Sequence, residues 1–167
     1  MSYEVAELQR KLADMIQITT ITSVDHANKK LRVRLGADES AELPWPASIG
    51  RNFIAWKPLR VGQQVILFSP SGDPAQGVII GDLYSQAIDS PSTAEEIDLV
   101  EFEDGSRLYV KQGGGVFVDS AGALAITVAG NASIRVSGYA QIIASGRMLI
   151  KSLTRLILKG PRATIVL

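Results

Sequence analysis

An apolar residue recurs at every eighth position from Val110 to the C-terminal residues, and this period constrains the fold more than any other feature of the sequence. Glycine recurs at the same spacing in a different phase. The apolar series is Val110, Val118, Ile126, Ile134, Ile142, Ile150, Leu158 and Val166, and the glycine series is Gly114, Gly122, Gly130, Gly138 and Gly146. A unit this short cannot bury its own apolar side, so the pattern predicts short strands and turns that stack on further units.

The charged residues of the repeat region share one parity. Between Val116 and Gly160 they are all odd-numbered, namely Asp119, Arg135, Arg147, Lys151, Arg155 and Lys159. Side chains alternate between the two faces of a strand, and an even period keeps each face constant from one unit to the next. The even-numbered residues therefore share one uncharged face, which is the predicted interior. A second residue of that face precedes each central one by two positions: Val116, Leu124, Ala132, Ala140, Met148 or Leu156.

Two repeat structures could bury this face. A monomeric β-helix would obtain only about two coils from this segment, fewer than the roughly three repeats that a solenoid needs. Three identical chains wound around one axis would bury the face against each other and leave no open lateral edge strand. We therefore predict a homotrimeric, intertwined triple-stranded β-helix with the glycines at its corners. An ordinary antiparallel meander is the alternative.

Three odd-numbered apolar residues of the distal repeats, Leu149, Leu153 and Ile157, do not fit the alternation. They would point outward. Two interpretations are open: they pack against another chain at the corners, or they give the distal shaft an apolar surface that lowers the cost of entering a bilayer. The first interpretation is favoured.

The rest of the chain predicts an all-β protein with one short helix. Residues 1–15 form an amphipathic helix with Val5, Leu8 and Leu12 on one stripe. Residues 16–85 contain about five short strands and one long proline-containing connection, which indicates a small Greek-key barrel of the OB type. Residues 86–98 have linker composition, residues 99–115 form a connecting hairpin, and residues 116–167 form the β-helix. In the hairpin, Asp104-Gly105 predicts a two-residue type I′ turn.

Composition excludes several classes of function. Seventeen basic residues balance seventeen acidic ones, which argues against binding nucleic acid or an anionic membrane mainly by charge. The chain has no cysteine and a single histidine, so disulfides and thiolate metal sites are excluded. Phosphate-binding loops and nucleophile elbows are missing, so we expect neither an enzyme nor a cofactor. The charged N-terminal sequence predicts no cleavable signal peptide.

The sequence VGQQVILFSPSGDPAQGVIIGDLYS (61–85), the hairpin FEDGSRLYV (102–110) and the repeats that follow resemble the baseplate assembly protein V family of contractile-tailed phages. This family forms the central tail spike and is similar to the spikes of type VI secretion systems and R-type pyocins. The resemblance implies a trimer in the virion baseplate. Its OB domains would dock on the tail hub protein, and its β-helix would pierce the host outer membrane when the sheath contracts.

The C-terminal end departs from the family pattern. Family members commonly end in an apex where a His-X-His motif from three chains binds iron, whereas the only histidine here is His26, in the first predicted hairpin turn. We expect His26 to be a solvated loop residue and no metal to be bound. Three readings of the tip are open: a truncated chain, a blunt apolar end, or a cap by a separate PAAR-type tip protein. The cap would contact Ile165, Val166 and Leu167.

Two other functions remain as alternatives. An OB-fold domain could bind single-stranded nucleic acid, with bases stacking on Trp45, Trp56 or Tyr84. The basic residues near them in sequence are Lys29, Lys30, Arg32 and Arg34. The other alternative is a trimeric adhesive fibre that binds a receptor or glycan.

Overall fold

The computed structural model describes residues 3–157. The chain divides after Ala123 into an N-terminal unit, which contains all the helices and strands found within residues 3–157, and a C-terminal unit, which contains most of the repeats. The predictions for Leu158, Ile165, Val166 and Leu167 lie outside the described residues.

A single amphipathic helix, α1 (Tyr3–Asp14), precedes the first strand. Its polar side is held by ion pairs from Arg10 to Glu7 (2.8 Å) and to Asp14 (3.2 Å). The hydrogen bonds from the Arg10 guanidinium hold the pKa of the Glu7 carboxyl below its usual range. On the opposite side Leu8 and Leu12 are exposed. The helix is therefore stabilised locally by its charges and buries none of its residues in this chain.

Six strands form a curved antiparallel sheet with the order β3-β2-β1-β7-β8, and β4 pairs with β2. The bounds are β1 (Ile16–Asp25), β2 (Lys30–Leu35), β3 (Asp38–Glu39), β4 (Leu43–Pro44), β7 (Gln64–Phe68) and β8 (Val78–Leu83). Two further strands, β5 (Ser48–Gly50) and β6 (Phe53–Ala55), pair only with each other. The hairpin predicted from the first two strands is confirmed by the β1–β2 pairing.

The core of this domain lies on one face of the sheet. Alternate residues of β1, β2 and β7 point into it, so Ile21, Val33, Val65 and Leu67 are almost completely buried. Leu43 closes the core from β4. Strand β7 begins later than the predicted Val61, because Gly62 adopts a positive φ of 88° and its N–H donates to the Ile21 carbonyl oxygen.

Three strands after the linker form a second antiparallel sheet with the order β11-β10-β9. They are β9 (Ile97–Glu101), β10 (Arg107–Lys111) and β11 (Val116–Asp119). The predicted β9–β10 hairpin is present, but its predicted type I′ turn is wrong. That turn needs positive φ at two residues, and only Gly105 has one, at 83°.

The observed β9–β10 turn is a longer loop that ends in a glycine. The Gly105 N–H donates to the Phe102 carbonyl oxygen, and the Phe102 N–H donates to that of Ser106. Asp104 accepts a hydrogen bond from the Ser106 N–H at 2.8 Å, which lowers the pKa of its carboxyl. The Asp-Gly pair therefore predicts the position of the hairpin correctly. It predicts Gly105 as the second residue of a two-residue loop, whereas Gly105 is the last residue of a three-residue loop.

The described part of the C-terminal unit, residues 124–157, contains no hydrogen-bonded strand within the chain. Its bends lie at 129–130, 137–138, 145–146 and 153–154, a further bend precedes it at 121–122, and the residues between the bends form neither helix nor strand. The bends are eight residues apart, as are the glycines of the sequence. Neither the pairing of a meander nor that of a monomeric solenoid is present in residues 124–157.

The close approach of α1 to the turn after β7 allows a direct test of this domain. Gly72 has a φ of 72°, and a Cβ there would lie 2.5 Å from the Lys11 carbonyl oxygen. We expect Gly72→Ala to lower the free energy of unfolding by more than the cost of the backbone conformation alone, which is about 1–2 kcal/mol. Gly62→Ala is the matched control, because its φ is 88° and nothing lies within 4 Å of its Cβ position. Equal losses for both variants in urea titrations would contradict the close approach of α1.

Candidate trimer interface

The three-stranded sheet carries an exposed, mostly aliphatic face made of even-numbered residues, with Asp98 opposite Val110 on the edge strand β9. Leu108 in β10 lies opposite Val100 on one side and Val118 on the other, and Val110 lies opposite Val116. All five side chains are exposed in this chain. Val100 and Leu108 thus enlarge the apolar face of the predicted interior residues Val116 and Val118 across the strands. The eight-residue series did not identify these two neighbours. Strand alternation with the observed register is the signal that finds them.

The opposite face of the same sheet is organised differently. Tyr109 and Phe117 are directly paired in register, and their rings stack at 4.7 Å with an interplanar angle of 10°. Leu99 pairs with Tyr109 from the other side and is partly buried. The odd-numbered face of this sheet therefore has packing within the chain, and the even-numbered face has none comparable.

The even-numbered apolar residues of the repeat segment are also uncovered. Ile134, in the middle of the segment, is 91 % exposed. The other predicted interior residues in the described range are exposed as well: Leu124, Ile126, Ile142, Met148, Ile150 and Leu156. Val128 and Val136 extend the same parity and are exposed too. An uncharged, mostly apolar series of this length without a cover is typical of an interface rather than of a free surface.

The total accessible surface gives the same indication. The single chain exposes 14330 Å². A compact folded monomer of 17.9 kDa would expose about 8,000 Å² by the usual scaling of surface with mass. The difference of accessible surface is larger than one or two exposed loops would produce. A large share of the surface of this chain is therefore available for partners.

The glycines of the repeat segment lie in its bends. Gly122, Gly130, Gly138 and Gly146 each occupy the second position of a bend, and nothing lies within 4 Å of a Cβ built on any of them. Their φ values are outside the positive region. Nothing within the single chain therefore requires glycine there. Gly114 differs, because it lies in the turn between β10 and β11 and has a φ of 110°.

The outward apolar residues of the distal segment are all exposed. Of Leu149, Leu153 and Ile157, only Leu153 lies in a bend, at 153–154. Corner packing was the favoured interpretation, and the geometry suits it for Leu153 alone. Tyr139 and Ile143 have the same odd parity and are also exposed, although the sequence analysis did not single them out.

An aromatic cluster forms a second concave site, on the barrel. Trp45 and Trp56 stack on each other with ring centroids 5.2 Å apart, and the His26 ring lies 5.3 Å from that of Trp45. His26 Nε2 is also 3.1 Å from the Leu59 carbonyl oxygen. The prediction of a solvated loop histidine is therefore incomplete, because His26 is exposed but packs against the indoles.

The three aromatic residues proposed for base stacking do not line one common groove. Trp45 and Trp56 line a cavity of about 620 Å³ that Lys29, Lys30 and Lys57 border, and Lys57 pairs with Asp82. Tyr84 lines a different concavity. Arg32 is directed to the Ser40 carbonyl oxygen and Glu42. The arrangement offers no continuous stacking platform along a basic groove, which weakens the nucleic-acid alternative.

Residues 3–157 hold neither a cluster of metal-ligating side chains nor a membrane-spanning helix. No group of three or more histidine, cysteine or acidic side chains is arranged to hold a metal ion. No helix in that range has the length and hydropathy needed to span a bilayer.

The six-stranded antiparallel sheet with its long connection has the architecture of an OB-fold domain. Residues 17–84 match the family described as the type VI secretion system/phage-baseplate injector OB domain. This match over the OB domain confirms the resemblance to the baseplate V spike family. Among curated proteins, none matches the chain.

Proposed function

We propose that this protein is the trimeric central spike of a contractile tail baseplate, with a mechanical and non-enzymatic role. The OB domain would dock on the tail hub protein, and the repeat segment would form a triple-stranded β-helix. Sheath contraction would drive this shaft through the outer membrane of the host. The baseplate-injector family of residues 17–84 supports the location in the virion tail.

The observation that carries the proposal is the repeat segment itself. Residues 124–157 bend every eight residues, form no strand pairs within the chain, and expose an even-numbered face without charges. Two more copies would supply strand partners for the unpaired backbone and cover the apolar face at the same time. A shaft closed in this way resists bending because every strand is paired on both sides.

The bends explain the glycines under this proposal. Nothing in the single chain approaches Gly130 or Gly138. In a triple-stranded helix the chains pass one another at the corners, where a residue without a Cβ permits the closest backbone approach. The series would thus reflect contacts between chains.

Light scattering on the purified full chain tests the oligomeric state. We expect a mass three times the 17.9 kDa of one chain. We also expect the trimer to persist at high salt, because the proposed interior is apolar. A monomer at micromolar concentration would exclude the spike proposal.

Electron microscopy of assembled tails tests the location. An antibody or gold label on the C-terminus is expected at the tip of the baseplate, on the tail axis. A PAAR-type tip protein would appear as extra density beyond the label, and its absence would leave a self-closed or blunt apex. Labels along the tail tube or on side fibres would contradict the central-spike proposal.

A further inference from the structure

The cavity that Trp45 and Trp56 line on the barrel, here called the tryptophan cavity, has a fixed aromatic wall. The Trp45 backbone N–H donates to the Lys29 carbonyl oxygen at 3.1 Å, and its indole Nε1–H donates to the Lys57 carbonyl oxygen at 3.3 Å. Trp56 stacks on this indole with an interplanar angle of 18° and is itself 53 % exposed. An aromatic surface that is already held in place can pack against a ligand at low entropic cost.

Much of the remaining wall is aliphatic and belongs to the β5–β6 hairpin. Ile49 and Ile54 are cross-strand partners, and they are 69 % and 83 % exposed. Both line the tryptophan cavity together with Pro44 and Pro46. Concave sites with mostly apolar walls and a few polar groups are the usual form of a ligand site. The chain therefore leaves apolar surface uncovered in a concave place, where a ligand would exclude water from several sides.

The charged residues around the tryptophan cavity leave an excess of positive charge. Lys57 pairs with Asp82, and Asp82 also accepts a hydrogen bond from Gln63 Nε2 at 2.7 Å. Lys29 and Lys30 also line the cavity, and neither forms an ion pair within residues 3–157. Two ammonium groups therefore lie beside an apolar cavity without a carboxylate partner in the described chain.

The acidic residue opposite Lys30 is already engaged. Asp25 is the cross-strand partner of Lys30, but its carboxylate accepts hydrogen bonds from the Asn28 backbone N–H at 2.9 Å and from Asn28 Nδ2 at 2.8 Å. These hydrogen bonds hold the pKa of the Asp25 carboxyl below its usual range. The charge of the cavity border therefore complements an anionic ligand.

The β5–β6 hairpin favours a peptide over a small molecule. Its strands, Ser48–Gly50 and Phe53–Ala55, pair only with each other within residues 3–157, so each has an outer edge without a strand partner there. An extended peptide can add a strand to such an edge, and its alternate side chains then point to one side. A two-stranded hairpin alone is marginally stable in water, so a third strand would also stabilise the hairpin.

The acidic segment of this chain itself has other contacts. Residues 85–96 carry three acidic residues and no basic residue. The first part of this segment lines the other concavity with Tyr84, and the Glu96 carbonyl oxygen accepts a hydrogen bond from the Gln112 N–H at 2.8 Å. The occupant of the tryptophan cavity is therefore expected to come from a different protein.

We propose that the tryptophan cavity binds an extended acidic segment of another protein. The segment adds a strand to the β5–β6 hairpin, packs an apolar side chain against Trp56 and places carboxylates near Lys29 and Lys30. The inference goes beyond the proposed function, because a trimeric spike does not require a peptide-binding cavity.

Peptide display on the full chain tests the proposal. A random peptide library is selected on the immobilised protein and, separately, on its Trp56→Ala variant. We expect the parent protein to enrich sequences in which acidic residues flank an apolar residue, and the variant to enrich none of them. Tyr84→Ala is the matched control, because Tyr84 is an exposed aromatic residue that lines the other concavity, and it should enrich the same sequences as the parent.

Calorimetric titration with a synthetic copy of a selected peptide measures each contribution. Trp56→Ala is expected to weaken binding about thirty-fold, as for an aromatic anchor at the centre of an interface. Lys29→Gln/Lys30→Gln is expected to weaken it about tenfold at low salt and less at high salt. Lys111→Gln/Lys151→Gln removes two exposed charges outside the OB domain and should bind as the parent does. If Trp56→Ala does not fold, the two lysine variants decide the result.

Several outcomes would overturn the proposal. They are the enrichment of no peptide, enrichment of the same peptides on the parent and on Trp56→Ala, and selection of neutral or basic sequences. Oligothymidylate binding that depends on Trp56, without peptide binding, would assign the cavity to nucleic acid. A synthetic peptide of residues 85–96 that binds as tightly as the selected ones would assign it to a second copy of this chain.

The oligomeric state is a separate result. A trimer by light scattering that binds no such peptide overturns this inference and leaves the proposed function intact. A monomer that binds the selected peptide overturns the proposed function and leaves this inference intact.

Discussion

Replacing Ile134 by lysine is expected to abolish the trimer, whereas replacing the adjacent Ser133 by lysine is expected to leave it intact. In the single chain both positions are exposed, and Ile134 is 91 % exposed, so the chain alone predicts no difference between the variants. In the proposed shaft, Ile134→Lys places three ammonium groups at one level of the interior. Burying an unpaired charge costs several kcal/mol per ion even after relaxation.

The measurement is the mass in solution by light scattering at matched concentrations. Ile134→Lys should elute as monomer or aggregate, and Ser133→Lys as trimer. Loss of the trimer in both variants would indicate that the segment does not tolerate lysine at either parity. Retention in both would exclude the even-numbered interior.

Deleting one whole repeat, residues 131–138, is expected to preserve the trimer, and deleting seven residues, 131–137, is expected to destroy it. The eight-residue deletion keeps every later residue on its original face. The seven-residue deletion reverses the parity of all that follows and would turn Arg147, Lys151 and Arg155 inward. The two variants differ in length by a single residue.

Mass in solution and thermal unfolding followed by circular dichroism distinguish them. The variant that lacks eight residues should remain a trimer, with a shaft that is one repeat shorter. The seven-residue deletion should lose the trimer and most of the cooperative unfolding transition of the proposed shaft. If both deletions assemble equally well, the parity argument fails, whatever the oligomeric state of the parent chain.

Much of the barrel could be predicted because its strands carry strong local signals. Alternation in Leu31–Leu35 and the Ile- and Thr-rich first strand gave β1 and β2 within a residue or so of their ends. Their hairpin followed from the turn between them. The β5–β6 hairpin was not predicted, because three prolines around it indicated only an irregular connection, and its two strands have three residues each.

For the candidate trimer interface, the sequence predicts only those residues that recur at the eight-residue spacing along the chain. Periodicity identifies residues eight apart in one strand path, so Ile126 and Ile134 were found. Val100 and Leu108 share a sheet face with Val118 through strand pairing, and pairing register is a tertiary property that a period does not contain. The outward orientation of Ile16 and Ile18 was not predicted for a related reason: they are alternate residues of an apolar strand, and sequence alone does not say which alternate set faces the core.

The stacked Trp45–Trp56 pair is also a built-in optical reporter. These are the only two tryptophans of the chain, and both belong to the OB domain. Their fluorescence therefore reports the unfolding of the OB domain and does not report that of the repeat segment, whereas circular dichroism detects both. Heating or denaturing the protein while recording the two signals together would resolve the unfolding of the OB domain from that of the repeat segment without any added label.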